Sequence, residues 1–129
     1  VPDIQHSAIP DGQRHEPKGI STASSGQVYV ASGTGSGVWA TPKSIVKFTP
    51  IITAASVPAS TTSEQTFTVT GVLATDELVG VIKPTHQTTL GIVNSRIVAN
   101  NQIAITYMHI GGGGPITPTS ETYSVLVWR

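Results

Sequence analysis

Seven carboxylates are the first place to look for acid–base chemistry: Asp3, Asp11, Glu16, Glu64, Asp76, Glu77 and Glu121. A glycosidase needs two carboxyl groups facing one bond, and no spacing here sets up such a pair. Asp76 and Glu77 are adjacent, so on a strand they would point to opposite faces; they are expected in a turn. His15-Glu16 begins like a zinc-protease helix, but Pro17 follows and no second histidine lies four residues on. His86 and His109 could meet in space and share a metal between protomers, although solvated loop histidines are the expected reading of both. Cysteine is absent, which removes disulfides, thiolate zinc sites and a Cys nucleophile. No Gly-x-Ser-x-Gly elbow is present. Gly33, Gly35 and Gly37 have the look of a phosphate loop, which requires a helix N-terminus after the glycines. Val38-Trp39-Ala40-Thr41-Pro42 follows instead, so they are turn glycines. Trp39 and Trp128 could stack on a sugar; as aromatics ending strands they are expected to anchor a core or an interface. The expectation is a chain that is not an enzyme and uses no cofactor or metal.

The elements that would position these residues follow from composition. Of 129 residues only 11% are charged, against about 25% in a typical soluble domain. Basic and acidic residues balance at seven each, so there is no basic stripe for nucleic acid. No apolar run approaches the ~20 residues of a bilayer-crossing helix, so no membrane partner is expected. The first ten residues lack the charged-then-apolar pattern of a signal peptide, which points to synthesis in the cytoplasm. The apolar residues are 14 Val and 13 Ile against 4 Leu and 1 Met, with 18 Thr beside them. Branching at Cβ stiffens χ1, which disfavours helix and suits a pleated strand. The class is all-β.

Residues 1–26 show neither strand nor helix period. They hold Pro2, Pro10 and Pro17, an Asp11-Gly12 turn signal and the charged group Arg14, His15, Glu16 and Lys18. Prolines remove backbone donors and push their neighbours toward extended geometry, so this is an extended arm or a disordered tail. Strand 27–31, a Gly-rich loop and strand 38–40 make a β-hairpin. Residues 1–50 are therefore read as arm plus hairpin, and 51–129 as a compact β body. Within that body, strands are expected at 51–56, 65–69, 78–83, 92–99, 102–108 and 121–128. Asn100-Asn101 is a two-residue turn, since asparagine tolerates positive φ. Short strands with turns roughly every 8–12 residues describe an antiparallel β-sandwich or jelly roll. A body this small buries only about 60% of its unfolded surface. That and the low charge predict a homo-oligomer.

The stretch Ile9-Pro10-Asp11-Gly12-Gln13-Arg14-His15-Glu16-Pro17-Lys18-Gly19, then Gly26-Gln27-Val28-Tyr29-Val30-Ala31 and Gly35-Ser36-Gly37-Val38-Trp39, resembles the N-terminal module of tailed-phage virion proteins. These include head-decoration (cement, head-fibre) proteins and some tail-fibre proteins. Thr62-Ser63-Glu64-Gln65-Thr66-Phe67-Thr68-Val69 and Leu90-Gly91-Ile92-Val93 are similar to the β-sandwich that follows this module. The resemblance implies a structural homotrimer made in the bacterial cytoplasm and placed on the outer capsid surface, binding the major capsid protein between capsomers. Arg14, His15, Glu16 and Lys18 would then contact the shell or a neighbouring protomer, and Trp39 would anchor the junction of arm and body. The rival expectation is a tail-fibre or glycan-binding adsorption module using the loops 84–87 and 111–118.

Overall fold

A computed structural model describes residues 23–33 and 36–129 of the chain. These residues fall into two compact units divided between Pro42 and Lys43. The first holds one antiparallel hairpin of β1 (Val28–Gly33) and β2 (Ser36–Ala40). Val28 pairs with Ala40, Tyr29 with Trp39 and Val30 with Val38.

The second unit contains β3 (Ile45–Phe48), β4 (Ile51–Ile52), β5 (Thr61–Thr68), β6 (Glu77–Ile82), β7 (Leu90–Ala99), β8 (Gln102–His109), β9 (Glu121–Thr122) and β10 (Ser124–Trp128). Two three-stranded antiparallel sheets, β3-β10-β6 and β5-β8-β7, make up most of it. A short β4-β9 pair carries the β3–β10 pairing past Tyr123, whose amide donates to Pro50 O at 2.9 Å. The all-β antiparallel expectation holds, in the form of a β-sandwich with three main strands on each side. Among the described residues no helix is long and apolar enough to cross a membrane.

Strand alternation builds the core. Val125 and Val127 of β10 are fully buried, with Val46 and Phe48 of β3 and Leu78 and Val81 of β6 beside them. From the facing sheet come Ile103, Ile105 and Tyr107 of β8, flanked by Phe67 of β5 and Ile92 and Ile97 of β7. Burying a Val, Ile or Phe side chain contributes about 1.5–3 kcal/mol, so this two-sided cluster dominates the stability of the unit. Tyr107 and Tyr123 carry their hydroxyls into it, and each satisfies the other, 3.2 Å apart. Burial raises both phenol pKa values above the ordinary tyrosine range.

The body reaches further toward the N-terminus than the division at residue 50 expected. Residues 43–50 belong to it, because β3 is a full partner of β10 and Ser44 exchanges both backbone hydrogen bonds with Arg129. The expected strand 51–56 shortens to Ile51–Ile52. Beyond it the side chain of Gln65 replaces a partner strand: Ala55 N–H donates to Oε1 at 2.7 Å, and Nε2 donates to Ala55 O at 2.9 Å. Buried Ile52 and Ala54 keep the strand alternation that the sequence shows. The strand expected at 65–69 begins four residues earlier, at Thr61. The Asn100-Asn101 turn is present, with Asn101 at φ 61°. Its side-chain oxygens accept from Gly71 N and Ala74 N and so tie the hairpin end to the 69–76 turn.

Candidate functional site

Of the sequence-predicted contact residues, Arg14, His15, Glu16 and Lys18 lie outside the described residues, and so does most of the expected arm. Trp39 lies on β2, half-buried, with its ring edge-on to Tyr29 across the hairpin at 5.2 Å between centroids and 64° between planes. Such an edge-to-face pair adds about 0.5–1.5 kcal/mol beyond area burial. Its geometry requires Gly37, since a Cβ there would fall 2.5 Å from Tyr29 Cε1 and 2.7 Å from Val30 O. The other face of the hairpin shows Val28, Val30 and Val38, 45–56% exposed. The indole N–H of Trp39 is buried and has no hydrogen-bond partner among the described residues. A two-stranded hairpin is at best marginally stable in water, and this one displays its apolar residues.

In the body, one buried imidazole and several hydroxyls lie at one end of the β5-β8-β7 sheet. His109 closes β8, paired with Thr61 of β5 on one side and Leu90 of β7 on the other. It continues the inward row of Ile103, Ile105 and Tyr107 and is only 4% exposed, so it is not the solvated loop histidine expected from sequence. Its Nδ1 is buried without a partner among the described residues. His86 remains exposed on its loop, and no group of three His, Asp or Glu side chains among the described residues could hold a metal.

The backbone around His109 is strained on both sides. Ser60 and Thr89, the residues immediately before its two partner strands, have φ of 56° and 67°. Left-handed geometry is a genuine outlier for a β-branched residue such as Thr89. Gly111 must stay bare, because a Cβ there would lie 2.6 Å from His109 Nε2. An open cleft of about 640 Å³ borders the site, lined by Ser60, Thr61, Thr62, Met108, His109 and Ile110.

No protein-family model, curated protein or solved structure matches the chain.

Three carboxylates of the body, Glu121, Glu64 and Asp76, are committed to cations. Glu121 accepts from Lys83 Nζ at 2.5 Å and from Thr85 Oγ1, with both charged side chains nearly buried. The Lys83 bond holds the Glu121 carboxyl below its usual range. Glu64 takes a two-pronged bond from Arg96 on the exposed face of β5 and β7, which lowers its pKa likewise. Asp76 ends a turn, as expected, with its side chain 1% exposed, whereas Glu77, expected in the same turn, opens β6. Burial alone would raise its pKa, but the Leu73 amide and Arg129 outweigh that and hold it down.

The loops 84–87 and 111–118 come together through a residue the sequence reading passed over. Gln87 Nε2 donates to Thr117 O at 3.0 Å, and Gln87 Oε1 accepts from Thr119 N at 2.7 Å. A lone glutamine in a loop carries no pattern that would have revealed this. Trp128 is 39% exposed on the outward face of β10. Its ladder partners are Ile45 of β3 and Glu77 of β6.

Proposed function

We propose that the chain is a structural virion protein that decorates and stabilises the outer surface of a phage capsid, bound as a homotrimer between capsomers of the major capsid protein. The observation that carries this reading is the β1–β2 hairpin. It forms a unit separate from the body, exposes Val28, Val30 and Val38, and is too small to bury them itself. Strands of this kind gain stability by adding to a neighbour's sheet or lying across its surface. The resemblance of residues 9–39 to the attachment module of virion proteins gives that neighbour an identity.

In this reading Arg14, His15, Glu16 and Lys18 make polar contacts with the shell or an adjacent protomer, and Trp39 anchors the attachment module. Binding only the assembled lattice stabilises it by mass action against internal DNA pressure. Several weak attachments per oligomer multiply through effective concentration. The body contributes a rigid platform in which Glu64, Asp76 and Glu121 are each held in an ion pair.

Immunogold electron microscopy of purified particles, with antibody raised against this chain, tests the reading. Label spread over the head supports decoration. Label confined to the tail tip favours the adsorption reading, in which the loops joined by Gln87 contact a host glycan. Particles without label overturn both.

A further inference from the structure

The two outer faces of the sandwich differ in chemistry. On β5-β8-β7 the outward row of β5 is polar, Thr62, Glu64, Thr66 and Thr68, with Thr106 of β8 and Arg96 of β7 alongside, and apolar exposure is confined to the β7 edge, where Val93 and Val98 at the two bulges are 48% and 41% exposed. On β3-β10-β6 it is apolar. Ile45 is 55% exposed, Val79 52%, Ile82 53% and Trp128 39%, around half-buried Leu126 at the centre. The register places Ile45, Trp128 and Glu77 in one row across the sheet and Lys47, Leu126 and Gly80 in the next. Antiparallel sheets that face water normally alternate apolar-in with polar-out. This one is apolar on both sides.

Charge decides what covers it. Glu64, Asp76 and Glu121 are each paired with a cation within the body. Lys43, Lys47 and Glu77 have no ion-pair partner among the described residues, and all three are exposed. Lys47 lies on β3 and Lys43 just before it, whereas Glu77 lies on β6, the opposite edge strand of the same sheet. The face is thus an apolar centre with one basic and one acidic margin. Any rotation axis running along the strands that turns this face inward sets the β3 margin of one copy beside the β6 margin of the next. A surface built this way is complementary to itself.

We infer that the outer face of β3-β10-β6 is the surface through which copies of this chain associate, with Lys47 of one copy meeting Glu77 of another around Leu126 and Trp128. This deepens the proposed oligomer and rests on that reading only for the existence of one. Three strands about 4.8 Å apart and about 17 Å long present on the order of 300 Å². That is well below the ~800 Å² per partner of a standard interface, so the assembly is expected to exchange with monomer at micromolar concentration.

Sedimentation equilibrium of the full chain over about 1–300 µM reads the association directly. The wild-type chain should assemble. Glu77→Lys places like charges across the contact and should weaken association at least about tenfold. The double variant Lys47→Glu/Glu77→Lys should restore it to within about threefold of wild type. Val79→Asp, a change at a half-exposed position, should weaken association while leaving the melting temperature in place. A wild-type chain that stays monomeric, a Glu77→Lys variant that assembles unchanged, or a double variant no better than the single one would each overturn the inference. Capsid binding is scored separately by co-sedimentation. A chain that assembles through this face but ignores capsids refutes decoration and leaves the interface standing.

Discussion

Arg129 Nη2 donates to Asp76 Oδ2 at 2.6 Å, and the same carboxylate oxygen accepts the Leu73 amide at 2.9 Å. Arg129 also reaches Gly71 O and lies over the Phe48 ring, so one guanidinium ties the 69–76 turn to β3 and β10. A depressed carboxyl pKa in the folded state means that the pair's contribution is complete above the unfolded value near 3.8 and fades as pH falls through the lowered folded one. Asp76→Asn should lower stability by about 1–3 kcal/mol at neutral pH. It should also flatten the acid limb of the stability curve. Urea titrations from about pH 2 to pH 7, which spans the range of carboxylate ionisation, would show whether the variant and wild-type curves converge at the acid end.

Tyr107 and Tyr123 make the corresponding alkaline prediction. Their phenol pKa values are raised by burial, so the folded state resists ionisation while the unfolded chain ionises near 10. Stability is intact below that value and declines as pH rises above it. Tyr107→Phe strands the Tyr123 hydroxyl and should cost about 1–2 kcal/mol. The double Phe variant should cost less than twice the single one and lose most of the alkaline decline. Equal, additive losses would show that the two hydroxyls are not partners.

Thr89 holds left-handed geometry that a β-branched residue adopts only at a cost of about 1–2 kcal/mol. Thr89→Asn, which tolerates that region, should raise stability by about 0.5–1 kcal/mol. The backbone bonds from Ile110 N to Thr89 O and from Leu90 N to Gln87 O involve no side chain of residue 89 and survive the change. A destabilised variant would mean that the threonine side chain itself holds the loop.

Gly37→Ala drives a methyl group into the Tyr29 ring and the Val30 carbonyl. Near-ultraviolet circular dichroism should lose the Tyr29–Trp39 signal, measured in a Trp128→Phe background, while the melting temperature of the body stays put. A chain of residues 43–129 should melt with the same transition, since every described core residue lies within it. A chain of residues 51–129 lacks β3 and should be less stable by several kcal/mol. Matching melts for the two shortened chains would place the boundary at 50 after all.

The hydrophobic alternation made most of the body legible: Phe67 and Val69, Leu78 and Val81, and Ile103, Ile105 and Tyr107 all face the core, whereas Val79 and Ile82 of the same apolar run turn outward. What escaped was structure held by single side chains. Strand β3, only Ile45–Phe48 between Pro42 and Pro50, is too short to announce itself and exists because β10 pairs with it. Gln65 ends a strand early by imitating its partner, and Gln87 joins two loops, with neither visible in a period or a composition. His109 read as a loop residue because four glycines follow it. Its burial depends on Thr61 and Leu90, 48 and 19 positions away in the chain. The pairing of Arg129 with Asp76 spans 53 positions.

β10 lies between β3 and β6, yet it is the last of the three to be synthesised. Until residues 124–128 leave the ribosome, both neighbours have open hydrogen-bonding edges and half of the core has no lid. The nascent body can hold at most its β5-β8-β7 layer, with a β7–β8 hairpin as the most local piece. Final closure is then a single late insertion that seals two ladders at once. Translation stalled before Tyr123 would release a species prone to pair its bare edges with other nascent chains.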